Sequence, residues 1–268
     1  MIELAAANNN VTRLRRLERR REAREDEGCI VVEAVRSIAE ALRARRVESI
    51  FVRGGNQPTN ESVQALVGPV DPAIPIYVLD PKTFDGVAST VTPQAAMAIV
   101  SWRPVAIDDV VFDQGPAIVL DGVGDPGNVG TILRIADGGG ASAVFAGPRN
   151  ADVTAPKVVR SAAGSLLRVP VVTSLTTTDA ITELHARSVR CIGAVARGGV
   201  AYDEFDWSLP VALVMGSEAH GIDDEVRATL DGEVYVGMAP GAESLNVASA
   251  CAVLTFEIRR QLTKDGSR

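Results

Sequence analysis

Three glycine-rich segments follow short apolar runs, and each delivers polar side chains able to hold a ligand's polar groups. The first reads Leu120-Asp121-Gly122-Val123-Gly124-Asp125-Pro126-Gly127-Asn128-Val129-Gly130-Thr131-Ile132-Leu133-Arg134. It presents Asn128 and, six residues on, Arg134. On a helix these two are not stacked, yet both can border a loop-side cleft. In the second, Val214-Met215-Gly216-Ser217-Glu218-Ala219-His220-Gly221-Ile222, the apolar run ends in a glycine that lets a ligand approach the backbone, with a carboxylate two residues later. The third holds a strand ending at Met238, a Pro-Gly loop and the triplet Ser244-Leu245-Asn246, which opens a long helix with Ser244 as predicted N-cap. Unpaired N–H groups at that helix start suit a ligand's polar parts. Each segment alone also has a plain reading: Ser244 as a cap, Asn128 and Asn246 as turn formers, Glu218 as a surface turn residue. The glycine spacing lacks the dinucleotide fingerprint and a Walker lysine, which counts against a nucleotide-dependent oxidoreductase and a triphosphate site.

The elements that must carry these segments alternate along the chain. A charged helix is expected over about 12–24, a strand at 29–32, an amphipathic helix through Val35, Ile38, Ala39 and Leu42, and a strand at 49–52. A turn at 56–60, a short helix at 61–67, strands at 74–79 and 96–100, and a helix between them complete a small α/β unit. Residues 103–116 read as a linker. Beyond it, strands are predicted at 117–120, 143–146, 170–172, 191–195, 211–215 and 233–236. Helices are predicted near 129–137, 156–163, 179–186, 223–230 and 245–261. Such alternation predicts a parallel sheet with helices on both faces, and ligands bind beyond the carboxyl ends of its strands. The expected fold class is therefore α/β, with domains at 1–104 and 105–268.

Composition narrows the function. The net charge of −7 counts against nucleic acid, but Arg13, Arg15, Arg16, Arg19, Arg20, Arg21 and Arg24 cluster at the start. That cluster fits an RNA contact or a solvated helix face equally. Cys29, Cys191 and Cys251 are scattered, and His185 and His220 are the only histidines, so neither a metal site nor a His-based triad is expected. No apolar run reaches the ~20 residues of a membrane span, and the Arg-rich start lacks a signal-peptide core. The expectation is a cytoplasmic protein.

Taken together and in order, Asn128-Val129-Gly130 through Arg134, Gly216-Ser217-Glu218 with Gly221, and Ser244-Leu245-Asn246-Val247 resemble the SpoU/TrmH family of RNA ribose 2′-O-methyltransferases, of the trefoil-knotted SPOUT class. Residues 27–33 with the helix and strand after them resemble the L30e-like RNA-binding domain often fused N-terminal to that methyltransferase. One departure is Pro93-Gln94-Ala95, where relatives usually carry Pro-Gln-Gly. The resemblance implies a knotted C-terminal domain, a homodimer through it, and S-adenosylmethionine bound at Ala194, Gly216, Val236, Met238 and Leu245. It implies catalytic roles for Arg134, Asn128, Glu218, Ser244 and Asn246, with no metal in the reaction; RNA contacts are expected at Arg160, Arg16 and Arg20, Arg160 reading equally as a solvated helix position. The implied substrate is ribosomal RNA, most readily 23S. The alternatives are tRNA as substrate, or an RNA-binding module without catalysis.

Overall fold

The computed structural model describes residues 1–55, 61–90, 92–239, 241 and 244–264. The turn expected at 56–60, and Pro240 of the expected Pro-Gly loop, lie outside the described residues. Two compact units emerge: Met1–Arg103 with Thr154–Leu167, and Pro104–Val153 with Arg168–Arg268. The division near residue 104 is therefore joined by a feature local pattern does not reveal, a segment far along the chain that folds with the first unit.

The first unit contains β1 (Ile2–Leu4), α1 (Asn9–Arg19), α2 (Arg21–Glu27), β2 (Cys29–Glu33), α3 (Val35–Arg43), β3 (Val47–Arg53), α4 (Glu61–Val67), β4 (Ile76–Leu79), α5 (Pro81–Val87) and β5 (Ala96–Ser101). Its sheet runs β1-β4-β3-β5-β2, with β5 antiparallel to both neighbours and the other pairs parallel. Val11, Leu14 and Leu17, three residues apart, bury one face of α1 among Val31, Phe51, Leu79 and Met97. The single helix expected over 12–24 is instead two, because Arg20 adopts an extended conformation (φ −122°, ψ 119°). Gly28 then ends α2 in the left-handed region, φ +63°, as a helix C-terminus favours.

The second unit is built on β6 (Ala117–Asp121), α6 (Pro126–Gly139), β7 (Ala143–Phe145), β8 (Val171–Val172), α8 (Thr177–Ala186), β9 (Arg190–Val195), β10 (Val200–Ala201), β11 (Val211–Gly216), α9 (Asp224–Arg227), β12 (Gly232–Tyr235) and α10 (Val247–Lys264); α7 (Pro156–Ala162) lies in the segment that joins the first unit. Its seven strands run β10-β12-β9-β11-β6-β7-β8, all pairs parallel. Ala117, Val119, Val214 and Cys191 pack one face beneath Ile181 and Leu184 of α8. The alternate residues Ile118, Leu120, Leu213 and Ile192 are equally buried on the other face, as period-2 strands covered on both sides require. The expected linker is no free tether: Val105, Ile107, Val110 and Phe112 pack against this core. The chain leaves β6 outward through β7 and β8, then crosses to the other side at β9. The carboxyl ends of β6 and β11 thus meet where the winding reverses, the crevice such sheets use for ligands.

Candidate functional site

The three polar segments leave β6, β11 and β12 on that same edge. At β6, Asp121 is 1% exposed and its carboxylate accepts from the Asp223 N–H at 2.8 Å and the Thr177 hydroxyl at 3.0 Å. Asn150 accepts from the Val123 N–H at 2.8 Å and donates to the Leu120 carbonyl at 2.9 Å, fixing the turn through Gly122. Asp125 caps α6 by accepting from the Asn128 N–H at 3.0 Å, with Pro126 in the first turn.

At β11, a Cβ on Gly216 would stand 2.2 Å from the Gly221 carbonyl carbon and 2.3 Å from the Ile222 nitrogen, so only glycine fits. Ser217 and Gly221 exchange two backbone hydrogen bonds of 2.9 Å, closing a tight loop that leaves Glu218 exposed.

Beyond β12 the backbone leaves strand geometry after Tyr235, earlier than the expected Met238, and α10 begins at Val247. Its cap is Asn246, not Ser244: Asn246 Oδ1 accepts from the Ala248 N–H at 3.0 Å and the Ser249 N–H at 3.3 Å. Because the helix starts two residues later than predicted, Ser244 is free to line a cavity.

These loops converge through one hydrogen-bonded chain. Asn246 Nδ2 donates to Asn128 Oδ1 at 3.1 Å, and Asn128 Nδ2 donates to Glu218 Oε1 in a short contact. Beside it a cavity of about 190 Å³ is walled by Ala194, Gly216, Val236, Met238 and Leu245, the five residues expected around a cofactor, and by Glu218 and Ser244. Val195, Ala196, Ala250 and Leu254 are among the other residues of the wall. Sequence reasoning omitted these four as ligand contacts, although Val195 and Ala196 continue the strand end and Leu254 lies on the apolar stripe of α10. The wall is chiefly apolar, with backbone polar groups at strand ends, a surface suited to a purine ring and its edge. Arg134 stands apart. It is exposed on α6, and among the described residues its side chain has no hydrogen bond or ion pair.

The expected RNA contacts are differently placed. Arg160 lies on α7 in the first unit, partly exposed, paired with the buried Glu33 (3.8 Å) and bonded to Ser89, so it is not free. Arg16 is tied to Glu27, which also binds Arg13 at 2.6 Å. Arg24 is buried against Thr154 and the Leu17 carbonyl. Much of the arginine cluster therefore holds its own unit together. Arg20 is exposed, and its side chain has no partner among the described residues.

Such a crevice puts the molecule among α/β enzymes that bind a ligand at the carboxyl edge of a parallel sheet. More particularly, the chain belongs to the SpoU rRNA Methylase family, which it matches over residues 115–256, and residues 8–98 match the MRM3-like substrate binding domain. It is 31% identical to the 23S rRNA (guanosine(2553)-2′-O)-methyltransferase RlmP of Bacillus subtilis (strain 168), over 95% of this chain and 98% of that protein. It is 37% identical to the 23S rRNA (guanosine-2′-O-)-methyltransferase RlmB of Ralstonia nicotianae, over 68% of this chain and 75% of that one. Among solved structures, the SpoU methyltransferase AviRb from Streptomyces viridochromogenes, in complex with AdoMet, superposes with a TM-score of 0.82 at 25% identity, covering 96% of this chain and all of that one. An AdoMet-bound rRNA methyltransferase from Sinorhizobium meliloti gives 0.83 at 27% identity, covering 97% and 98%.

Proposed function

We propose that the protein transfers a methyl group from S-adenosylmethionine to a ribose 2′-hydroxyl of 23S ribosomal RNA, with a guanosine as the nucleotide to test first. The observation that carries this is the Asn246–Asn128–Glu218 chain at the edge of the cavity built from the three polar segments. S-adenosylmethionine, when bound, supplies an electrophilic methyl group on a sulfonium. Ala194, Val236, Met238 and Leu245 of the cavity wall would cover its adenosine, and Gly216 would let it reach the backbone. Transfer then requires the hydroxyl to be aligned and its proton removed, for which no metal is needed. Asn128, Asn246, Ser244 and Glu218 set the loop geometry and orient the ribose. A guanidinium offers donors and no acceptor lone pair, so Arg134 serves as a hydrogen-bond donor rather than as the base. It holds the hydroxyl beside an RNA phosphate, which accepts the proton. The first unit binds the ribosomal RNA, and Arg20 is its unengaged cation at the first helix break. The protein works in the cytoplasm as a homodimer, and Phe256, half exposed on α10 beside Gly138 of α6, supplies apolar interface surface.

The test is transfer of labelled methyl from S-adenosylmethionine to 23S RNA and, separately, to tRNA, followed by digestion to nucleosides. A 2′-O-methylated nucleoside from 23S RNA is the expected product. Label in tRNA alone would move the substrate, and no cofactor binding would remove the activity.

A further inference from the structure

The second unit carries a cluster that the methyl transfer does not use. His185 stands in the last turn of α8, Cys191 near the start of β9 and Asp231 in the turn before β12. One potential ligand atom from each lies within 4.8 Å of the other two. The backbone fixes two of the three against each other: the Asp231 N–H donates to the Cys191 carbonyl at 2.9 Å, and the Cys191 N–H donates to Asp231 Oδ2 at 2.7 Å. His185 Nε2 meets the same carboxylate oxygen at 3.0 Å. Cys191 is fully buried, whereas the His185 and Asp231 side chains are 36% and 42% exposed. The result is a socket with a thiol at its floor and an imidazole and a carboxylate at its mouth.

We propose that this socket binds a thiophilic divalent cation, Zn²⁺ by its chemistry, through Cys191 Sγ, His185 and Asp231, with a fourth position open to water. One sulfur, one nitrogen and one oxygen is the donor set of a borderline-soft ion, whereas Mg²⁺ and Ca²⁺ want oxygen alone. Tetrahedral ligands at about 2.0–2.3 Å from zinc stand roughly 3.5 Å apart, so no pair of donors needs to close by more than about 1.3 Å, and His185 and Asp231, at 3.0 Å, need only part slightly. The half-exposed His185 can supply much of that movement. Binding forms the Zn–S bond as the Cys191 thiol proton leaves to solvent. The site is structural. It ties the end of α8 and the turn before β12 to the amino end of β9, whose carboxyl end carries Ala194 of the cavity. The linear sequence hides it, because the ligands are six and forty residues apart and match no metal-binding spacing.

The experiment is titration of Co²⁺ into the full-length, chelator-stripped and untagged protein, followed by absorbance. One equivalent is expected, with tetrahedral d–d bands and a near-ultraviolet thiolate-to-cobalt band, all displaced by Zn²⁺. Cys191→Ser should abolish the thiolate band, while Cys29→Ser, in the other unit, should retain it. Should Cys191→Ser not fold, His185→Asn, at an exposed position, decides the matter: the expected result is at least tenfold weaker cobalt binding. Absence of the thiolate band in the wild type, its survival in Cys191→Ser, or unchanged affinity in His185→Asn overturns the site.

Discussion

Asn246 meets two demands with one side chain. Its carbonyl oxygen caps α10 and its amide nitrogen holds Asn128, which in turn holds Glu218. The two roles separate by substitution. Asn246→Asp keeps the cap acceptor but removes the amide donor, so thermal stability should stay within about 1 kcal/mol while methyl transfer falls at least ~100-fold. Asn246→Ala should lose transfer equally and also about 1 kcal/mol of stability. Full activity in the aspartate variant would show the hydrogen-bonded chain to be dispensable. Arg134 is the complementary case. It does not line the cavity, so Arg134→Ala should abolish transfer while calorimetry finds cofactor affinity within about twofold of wild type. Asn128, Glu218 and Asn246 stood out by their types and order along the chain, and the structure brings those three together. Their mutual bonds were not, because Asn128 reaches residues 90 and 118 positions away. The choice of cap was misread for a local reason: serine and asparagine are near-equal caps, and only the helix start decides between them.

At the scale of elements, strands and helices long enough to show a period were readable, and the failures have physical causes. β1 and β10, of three and two residues, are too short for alternation to register, and neither has the consecutive large apolar residues that mark the equally short β7 and β8. The break at Arg20 falls within a run of arginines, all good helix formers, so propensity gave no warning. The reason for α1's buried acid was also invisible. Glu18 is 5% exposed, and neither carboxyl oxygen has a hydrogen-bond partner. Burial pushes its pKa up to about 7 from 4.5; Glu33 of β2 adds like charge, while the cation Arg160 of α7 opposes the rise. The folded chain therefore keeps a proton that the unfolded chain releases, so the stabilisation is complete below pH 4.5 and is lost as pH rises toward 7. Glu18→Gln should consequently raise stability at pH 8 by about 3 kcal/mol and change little at pH 4.5. Denaturant melts of both proteins at the two pH values check this, and equal shifts at both would mean that no proton is held there.

For the whole molecule, the consequential feature is the return of residues 154–167 to the first unit. Trp102 donates to the Leu166 carbonyl at 3.0 Å, Arg24 to the Thr154 hydroxyl at 3.0 Å and Arg46 to the Leu167 carbonyl at 3.2 Å. Val158, Ala162 and Leu166 of that segment are at most 1% exposed. The helical pattern of α7 is plain in the sequence. Its membership of the other unit is not, because hydrophobic burial has no address in a linear chain. A chain beginning at residue 104 would therefore leave α7 without the partners that bury it, while every residue lining the cavity lies within the second unit. The truncated protein should bind S-adenosylmethionine within about threefold of the full chain, because the cavity wall is retained. It should bind 23S RNA at least ~10-fold more weakly, having lost the unit proposed to hold that RNA, and it should melt at lower temperature. Calorimetry, filter binding and thermal unfolding on the same preparation test the three parts. Equal RNA affinity would remove the first unit from substrate binding. An unchanged melting temperature would show that the docking of residues 154–167 adds nothing to stability, which the charges there argue against. Arg160 faces the buried Glu33, and losing that cation from the intact chain would leave a buried carboxylate uncompensated, at a cost of about 3 kcal/mol.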